Sequence, residues 1–591
     1  MYVAVSGAGK AKVIQFRIDT RIPGTKKKKT HVVKTLGNYE KMVSKDPDIV
    51  KNLRNKAKKI TLEQKASVAP VQLAVGSHAI TSSDAVTPSF NFGHAIVKQL
   101  WSIMDLDTFF EHTCGKKNAK HIEEALYYLV AHRCGNPASI LATSTDQQRY
   151  AGIVPLGLDL FYAVLDVLDD TKEAFVQHLA GFFEKKTTRE TGQAFYDVTT
   201  YAFESTRWGE LRLFGFSKDH KNNEVQVVMG LLIDNNGIPI SYELFPGNTM
   251  DQNTLTTSIE KLKSLYHMEK ITVVADRGLN SGANLEYLCG QGYGFVISYT
   301  LKKSKEEFKQ LVFDDAGWVE TYNTKTGELS YKYKVVEQSL STKVKLTKDE
   351  LEVKRQKKGR GRKPIWKTVE IPVKIHLTWS AKRAAKDRGD RERMVARLEK
   401  RLDKPYQLKA GIKRGCNQFL EFEINTDTCR LDTEKIQEAA KYDGYYALIT
   451  NELAISTDEV TTIYRGLWKI EDSFRVLKTD LSARPVFVWT DTHVKGHFAL
   501  CYLCFTLLRY MQYLMRTEKQ QSLTAEQIMK GIAQPLVLAQ GKFPETIVTP
   551  TQVPQSYLDM ADLLNLPQLY TNMTLTKFRA STKLDLSVNL R

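Results

Sequence analysis

Three carboxylates are the side chains whose types and positions in this sequence best suit catalysis. Asp197 lies within the strand-like run 193–200, Asp276 directly follows the apolar run 271–275, and Glu471 lies on a predicted helix. Mg²⁺ prefers oxygen ligands, and a few carboxylates leave positions open on the ion for phosphate oxygens and water. Three carboxylates would hold two Mg²⁺ ions about 3.5–4 Å apart, one activating a water or 3′-hydroxyl and the other stabilising the leaving oxygen. The residues therefore predict metal-dependent phosphoryl transfer, with Mn²⁺ expected to substitute for Mg²⁺.

The helix that carries Glu471 is predicted to cover residues 463–478. At about 100° per residue, an apolar stripe and an adjoining polar stripe form along it. A simpler interpretation is an ordinary amphipathic helix with paired charges, and the two strand aspartates argue against it. The apolar stripe comprises Ile463, Leu467, Ile470, Phe474 and Leu477, and the polar stripe comprises Tyr464, Trp468, Glu471, Arg475 and Lys478.

The two aspartates fall within an alternating order of strands and helices. Three strand-like runs, a helix, a strand, a short helix and a further strand occupy residues 193–299. This is the order of a ribonuclease-H-like sheet, in which the first and fourth strands place their aspartates side by side. A buried aspartate at a strand end is costly without a metal or a cation, which favours a functional role for Asp276. Asp219, Asp234 and Asp251 are other candidates for the metal-binding acids, but a position in a turn or at a helix cap explains each of them. Asp251 is predicted as the N-cap of a helix over 252–266.

The remaining chain is predicted to surround this α/β sheet with a basic β-ribbon, a helical domain and a β-rich insertion. Lys26–Lys29 would lie at the ribbon tip, where they suit a DNA backbone or remain solvated. Arg360 and Arg362 resemble a minor-groove hook, although a solvated loop is the favoured interpretation.

The expected domain divisions are 1–66, ribbon and helix; 67–91, linker; 92–188, helical domain; 189–299 and 444–515, the two parts of the catalytic domain; 300–443, insertion; and 516–591, a possible subunit contact.

Composition restricts the class of protein. The 591 residues carry a formal net charge of +18, which favours a polyanion such as double-stranded DNA as partner. No apolar run of about 20 residues occurs, so no membrane association is expected. The seven cysteines are scattered, which argues against a disulfide framework. A cytoplasmic protein is therefore expected.

These residues resemble the DDE transposases of bacterial insertion sequences, in the group with a Y-x2-R-x3-E-x6-K signature and a β-rich insertion before the glutamate. Tyr464, Glu471 and Lys478 match the signature at its spacing. The first motif is matched by Tyr196–Thr199 and the second by Val274–Gly278, and Ser217–His220 and Gly247–Asp251 resemble flanking segments. The resemblance covers most of the chain. It implies Mg²⁺-dependent cleavage at terminal inverted repeats and strand transfer into target DNA, with Tyr464 and Lys478 contacting phosphates.

One position departs from the signature, because Leu467 replaces its arginine. Arg465 is predicted to point about 120° away from Glu471, so Arg475 is the better substitute for contacting phosphate, with Arg465 as a further DNA contact. The resemblance also implies a homodimer in the active complex. Two alternatives stay open, a ribonuclease-H-like endonuclease that cuts without rejoining and an inactive DNA-binding regulator derived from a transposase.

Overall fold

The chain is described by a computed structural model whose described residues form two compact units, Met1–Val86 and Thr87–Arg591. The first unit is a small antiparallel sheet followed by two helices, with Ile14, Phe16 and Ala57 in its core. The predicted ribbon corresponds to its second and third strands. The elements are β1 (Tyr2–Ser6), β2 (Val13–Arg21), β3 (Lys28–Asn38), α1 (Tyr39–Val43) and α2 (Ile49–Ala66). The described residues are 1–21, 28–66, 89–114, 119–187, 192–216, 223–266, 271–304, 306–346, 366–400, 402, 419–423, 428–541 and 543–590.

The second unit begins with a short strand and a group of helices. Their apolar residues recur at helical spacing, as in Ile96, Val97, Leu100 and Trp101, all of which are buried. This agrees with the helical pattern predicted between residues 92 and 183. The elements are β4 (Ser89–Asn91), α3 (Ala95–Ile103), α4 (Leu106–Cys114), α5 (Ala119–Gly135), α6 (Ile140–Thr145), α7 (Leu158–Asp170) and α8 (Lys172–Lys186).

A nine-stranded mixed sheet forms the centre of the second unit, which confirms the predicted α/β class. Its strand order is β10-β11-β12-β15-β9-β8-β5-β6-β7. The strand β8 is parallel to both β5 and β9, and every other neighbouring pair is antiparallel. The strands are β5 (Gln193–Ala202), β6 (Gln226–Asp234), β7 (Pro239–Pro246), β8 (Thr272–Ala275), β9 (Gly294–Tyr299), β10 (Val319–Tyr322), β11 (Leu329–Lys345), β12 (Trp366–Ser380) and β15 (Tyr445–Thr450).

The strands of the predicted insertion extend this sheet. β12 pairs with β15 from Lys374 to Trp379, and β15 in turn pairs with β9. Sequence patterns give no information about which strands pair across so long a separation. Around these strands lie β13 (Leu420–Glu423), β14 (Thr428–Leu431), α9 (Leu255–Tyr266), α10 (Gly282–Gly290), α11 (Glu306–Phe313), α12 (Ala381–Glu399), α13 (Thr433–Ala440), α14 (Thr457–Arg465) and α15 (Trp468–Arg475).

Helices cover both faces of the central strands, and alternate residues of each strand therefore enter different cores. Tyr196, Val273 and Ala275 pack with α9 and α10 on one face. Phe195 and Val274 belong to the core on the other face, together with residues of α15. Because both faces are buried, β6 is apolar almost throughout.

A 28-residue helix, α16 (Asp491–Glu518), runs through the second core. By length and composition it could cross a membrane, but 83% of its most apolar window is buried inside the chain, as in the core helix of a folded domain. Its Tyr502 ring lies 4.7 Å from that of Tyr242 on β7, and its Phe498 ring lies 4.9 Å from that of Tyr201 on β5. The helix therefore joins the sheet to the helical region.

The C-terminal segment completes the helical region. Asn91 donates hydrogen bonds from Nδ2 to the carbonyls of Ile532 (3.0 Å) and Ala533 (2.7 Å), and Phe92 packs on Tyr557 and Phe578. Apolar residues of the C-terminal segment therefore pack against other parts of the same chain. The elements are α17 (Ala525–Ala533), β16 (Leu536–Gln540), β17 (Ile547–Gln552), α18 (Gln555–Leu563), β18 (Met573–Thr574), α19 (Leu575–Thr582) and α20 (Ser587–Leu590), with β4 at the edge of the sheet β18-β17-β16-β4.

Close packing around Gly230 on β6 gives a test of this sheet. A Cβ at this position would conflict with the Tyr196 hydroxyl and lie 3.1 Å from Tyr196 Cε2. We expect Gly230→Ala to lower the free energy of unfolding by about 1–3 kcal/mol. Gly181→Ala is the matched control, because a Cβ there meets no described atom within 4 Å inside α8; it should stabilise by about 0.5–1 kcal/mol. Urea denaturation measures both, and equal effects would contradict the packing described.

Candidate active site

Asp197 and Asp276 lie on neighbouring parallel strands at matching positions. Tyr196 pairs with Ala275 in the β5–β8 ladder, and Asp276 keeps an extended backbone (φ −72°, ψ 167°) one residue beyond β8. The register therefore brings the two aspartates next to each other. Side chains alternate along a strand, so both aspartates lie on the face of Phe195 and Val274. This arrangement agrees with the one predicted.

The surroundings of Asp276 differ from the prediction. It is exposed, so the argument from the cost of a buried carboxylate was wrong. The strand ends at Ala275, and the Asp276 side chain caps the 3-10 helix Arg277–Leu279 by accepting a hydrogen bond on Oδ1 from the Gly278 amide at 3.0 Å. Asp197 is half-buried and accepts from the Val198 amide at 2.7 Å. Short backbone contacts thus hold both carboxylates.

The competing acids have different roles. Asp234 accepts from the amides of Asn236 and Ile238 in the β6–β7 turn, both at 2.9 Å, as a turn acid should. The prediction that Asp251 caps a helix was wrong, because it begins the 3-10 helix Asp251–Asn253 and α9 starts at Leu255. Asp251 instead faces the turn after Asp276, its Oδ2 lying 3.8 Å from where a Gly278 Cβ would be. Asp219 lies outside the described residues.

The predicted helix 463–478 is divided into three segments, which corrects the continuous helix expected from periodicity. α14 ends at Arg465, α15 covers Trp468–Arg475, and a π-helical segment covers Val476–Asp480. At the first junction Gly466 packs against Phe195 of β5, and a Cβ there would lie 2.5 Å from Phe195 Cζ. The backbone tightens here, with the Leu467 amide donating to the Tyr464 carbonyl at 3.0 Å.

The apolar stripe of this segment is confirmed. Ile470, Phe474 and Leu477 are buried, and Ile463 and Leu467 pack against the same core, which includes Phe195 and Val274. The helix of Glu471 is therefore fixed on the face of the sheet from which both aspartates project. Glu471 itself is exposed.

Glu471 lines a cavity of about 820 Å³ between α12, α14 and α15, which we call the glutamate cavity. Tyr464 lines it too; its ring lies 5.8 Å from Tyr446, and burial, then the neighbouring Tyr446, raise its pKa. Arg383 lies 4.3 Å above the Tyr446 ring. The lining also includes three cations of α12 that sequence reasoning missed as site residues, although their i, i+1, i+4 spacing was visible: Lys382, Arg383 and Lys386.

The positions of Arg465 and Arg475 differ from those expected from the helical projection. Arg465, the last residue of α14, lines the glutamate cavity together with Glu471. Arg475 forms ion pairs with Asp472 (3.0 Å) and Asp480 (3.1 Å) and is not among the residues lining that cavity. Lys478 lies in the π-helical segment with Nζ 5.3 Å from the Tyr201 ring centre. Arg360 and Arg362 lie outside the described residues.

The donor set partly fits a divalent metal. Asp197 and Asp276 offer hard oxygen ligands from adjacent strand positions, as Mg²⁺ requires. Within the described ranges, however, no three His, Cys, Asp or Glu side chains are arranged to hold a metal ion. The aspartates thus fit as a pair, and the Glu471 carboxylate is not already gathered with them.

Comparison with known proteins gives the following matches. Residues 194–507 match the family model described as "Transposase DDE domain", a range that includes all three acids. A similar solved structure is the cryo-EM synaptic complex of piggyBac transposase with hairpin DNA, at 9% sequence identity and a TM-score of 0.32, covering 69% of this chain and 70% of that one. No curated protein matches the chain.

Buried His376 on β12 supports the start of α14 and makes the site sensitive to acid. Its Nδ1 lies 2.9 Å from Thr457 Oγ1, and burial, then Lys374, lower its pKa from 6.5 to about 4. As the pH falls, His376 is therefore protonated at a higher pH in the unfolded chain than in the folded chain. The stability that this residue contributes is complete above pH 6.5 and is lost as the pH falls towards 4. We expect wild type to lose about 2 kcal/mol through this residue between pH 7.5 and pH 5. Urea denaturation at both pH values should show a smaller loss for His376→Gln, and equal losses would contradict this assignment.

Proposed function

The chain belongs to the DDE transposase family, and we propose that it cuts DNA at the terminal inverted repeats of a bacterial insertion sequence and joins the ends to target DNA. The observation that carries this proposal is the β5–β8 register, which sets Asp197 beside Asp276 under the helix of Glu471. The neighbouring strands β7, β6 and β5 are antiparallel, and β8 and β9 follow parallel to β5. This order supports a ribonuclease-H-like catalytic sheet. The domain boundaries predicted from the sequence remain part of this proposal.

We assign the three acids to metal binding. Asp197 and Asp276 would hold Mg²⁺ from the sheet, and Glu471 would approach from α15. Bound Mg²⁺ supplies activation of the attacking oxygen and stabilisation of the leaving oxygen. The short backbone contacts of the two aspartates fix their positions before metal binds. The Glu471 side chain is exposed, and a change of its rotamer would bring its carboxylate into the ligand set when metal binds.

The DNA backbone would lie along the glutamate cavity. Four cations, Lys382, Arg383, Lys386 and Arg465, line it against the three acids Asp387, Asp390 and Glu471, and cations of this kind neutralise phosphates without reading sequence. Tyr464 and Lys478 would contact phosphates near the cut, as their match to the signature implies. In place of Arg475, which is held in ion pairs, we assign the missing signature arginine's role to Arg465.

A DNA-binding regulator without catalysis is the second candidate. One observation favours it, because the described carboxylates are not gathered into a ready metal site. The retention of all three acids at matching positions favours the enzyme. For the enzyme we propose a homodimer in the bacterial cytoplasm, because both element ends must be held together for transposition.

Replacing Glu471 separates these candidates. Glu471→Gln keeps the shape and removes the metal-binding charge, so DNA cutting should fall by roughly 10²- to 10⁴-fold while DNA binding is retained. The assay is Mg²⁺-dependent nicking of a duplex that carries the element's terminal repeat, with a target plasmid present to detect joining.

Glu526→Gln is the matched control, since Glu526 is an exposed helical acid on α17 paired with Lys530. It should cut like wild type. Cutting without joining would identify an endonuclease, and binding without cutting in Mg²⁺ or Mn²⁺ would identify the regulator. Equal cutting by wild type and Glu471→Gln would exclude Glu471 as the third acid.

A further inference from the structure

A second polar cavity lies beside the glutamate cavity, between the β6–β7 turn, α15 and α16. We call it the turn cavity; its volume is about 350 Å³. Gly237 turns the chain here with φ +80°, a conformation that favours glycine. The lining residues are Asn235, Asn236, Gly237, Trp468, Lys469, Asp472, Arg509 and Arg516.

The turn cavity has an excess of positive charge. Its single acid, Asp472, is shared by Arg509 at 2.8 Å and by Arg475 at 3.0 Å. Lys469 and Arg516 both line the cavity, and burial, then the charge of Arg516, lower the pKa of Lys469, an effect that the carboxylate of Asp234 opposes. Two mutually repelling cations in a half-buried cavity would be stabilised by an anion.

The cations are also positioned to receive such an anion. Lys469 Nζ donates to the Asn235 carbonyl at 2.7 Å and to Asn235 Oδ1 at 3.0 Å, which fixes its ammonium at the turn. Arg509 is held from within the chain: Nη1 donates to Gln512 Oε1 at 2.8 Å, and Nη2 donates to Asp472 Oδ2 at 2.8 Å and to Ser473 Oγ at 3.1 Å. Arg516 is exposed. An oxyanion has several acceptor sites, so one anion can bind Lys469 and Arg516 together while Arg509 adds positive charge behind them.

Trp468 connects the two cavities. Its side chain is 61% exposed and lines both the turn cavity and the glutamate cavity. A DNA strand in contact with this indole would therefore lie next to residues of both cavities.

We propose that the turn cavity binds a phosphodiester group of the DNA, with Lys469 and Arg516 as its ligands and the charge of Arg509 behind them. This inference rests on the proposed function only in taking DNA as the partner. It assigns a backbone contact outside the signature residues.

The experiment measures how affinity for a non-specific DNA duplex depends on salt. Each phosphate contact contributes about 0.9 to the slope of log K against log salt concentration. Arg516→Gln and Lys469→Gln should each weaken binding, and the double variant should reduce the slope by about one, because both cations serve one phosphate. Between 50 and 200 mM salt, the factor by which affinity falls would then be roughly three- to fourfold smaller for the double variant than for wild type.

Three controls make the result specific. Arg516→Lys keeps the charge and should retain most of the slope. Lys495→Gln removes a cation from the other end of α16, where Lys495 lies 3.9 Å from Asp169, and should leave the slope unchanged. Thermal denaturation identifies any unfolding of Lys469→Gln, while the exposed Arg516 can be replaced without loss of a described ion pair.

The outcomes separate this inference from the proposed function. If wild type cuts DNA but the double variant keeps the wild-type slope, the phosphate site is overturned and the transposase proposal stands. If wild type binds without cutting and the slope falls as expected, the phosphate site is supported and the catalytic proposal fails. If wild type does not bind DNA, or inorganic phosphate but not DNA protects Lys469 from acetylation, the DNA assignment is overturned.

Discussion

The parallel pairing of β5 with β8 is the constraint on which the candidate site depends. Side chains alternate between faces with a period of two, so a slip of one residue would send Asp197 and Asp276 to opposite faces of the sheet. Two separate cores hold the register: Phe195 and Val274 are buried on one face, and Tyr196 and Ala275 on the other. The aspartates are therefore adjacent because apolar residues on both faces fix the strands between which they lie.

The charge of such a pair makes it a candidate for metal binding. Neighbouring carboxylates repel each other and favour a cation between them. The cavities that Trp468 lines each contain more lysines and arginines than acids, although Asp387 and Asp390 offset part of this charge beside Glu471, and the excess cations match the phosphates of a polyanion. Acids on the sheet and cations on α12 and α16 thus divide the site into a part suited to metal and a part suited to DNA. Trp468 lies where the two cavities meet.

Local patterns in the sequence predicted the strands and the apolar stripe beneath Glu471, because burial imposes periodicity on each element separately. They failed where a contact between residues far apart in the sequence determines the local structure. Gly466 packs on Phe195 at the end of α14, and Arg465 lines the glutamate cavity, where a continuous helix favoured Arg475. Asp276 is exposed because its strand ends one residue earlier, and its carboxylate caps a turn. The joining of β12 to β15 likewise depends on strand pairing that no local pattern records.

The central claim of the proposal is that Asp197, Asp276 and Glu471 together bind the catalytic Mg²⁺ ions. Localised cleavage of the polypeptide by Fe²⁺ tests it most directly, since hydroxyl radicals formed at iron bound in place of Mg²⁺ cut the chain nearby. In the presence of ascorbate and peroxide, we predict cuts near residues 197, 276 and 471 that excess Mg²⁺ suppresses and that Asp197→Asn abolishes. Cuts confined to other segments, or an identical pattern in Asp197→Asn, would contradict a shared metal site.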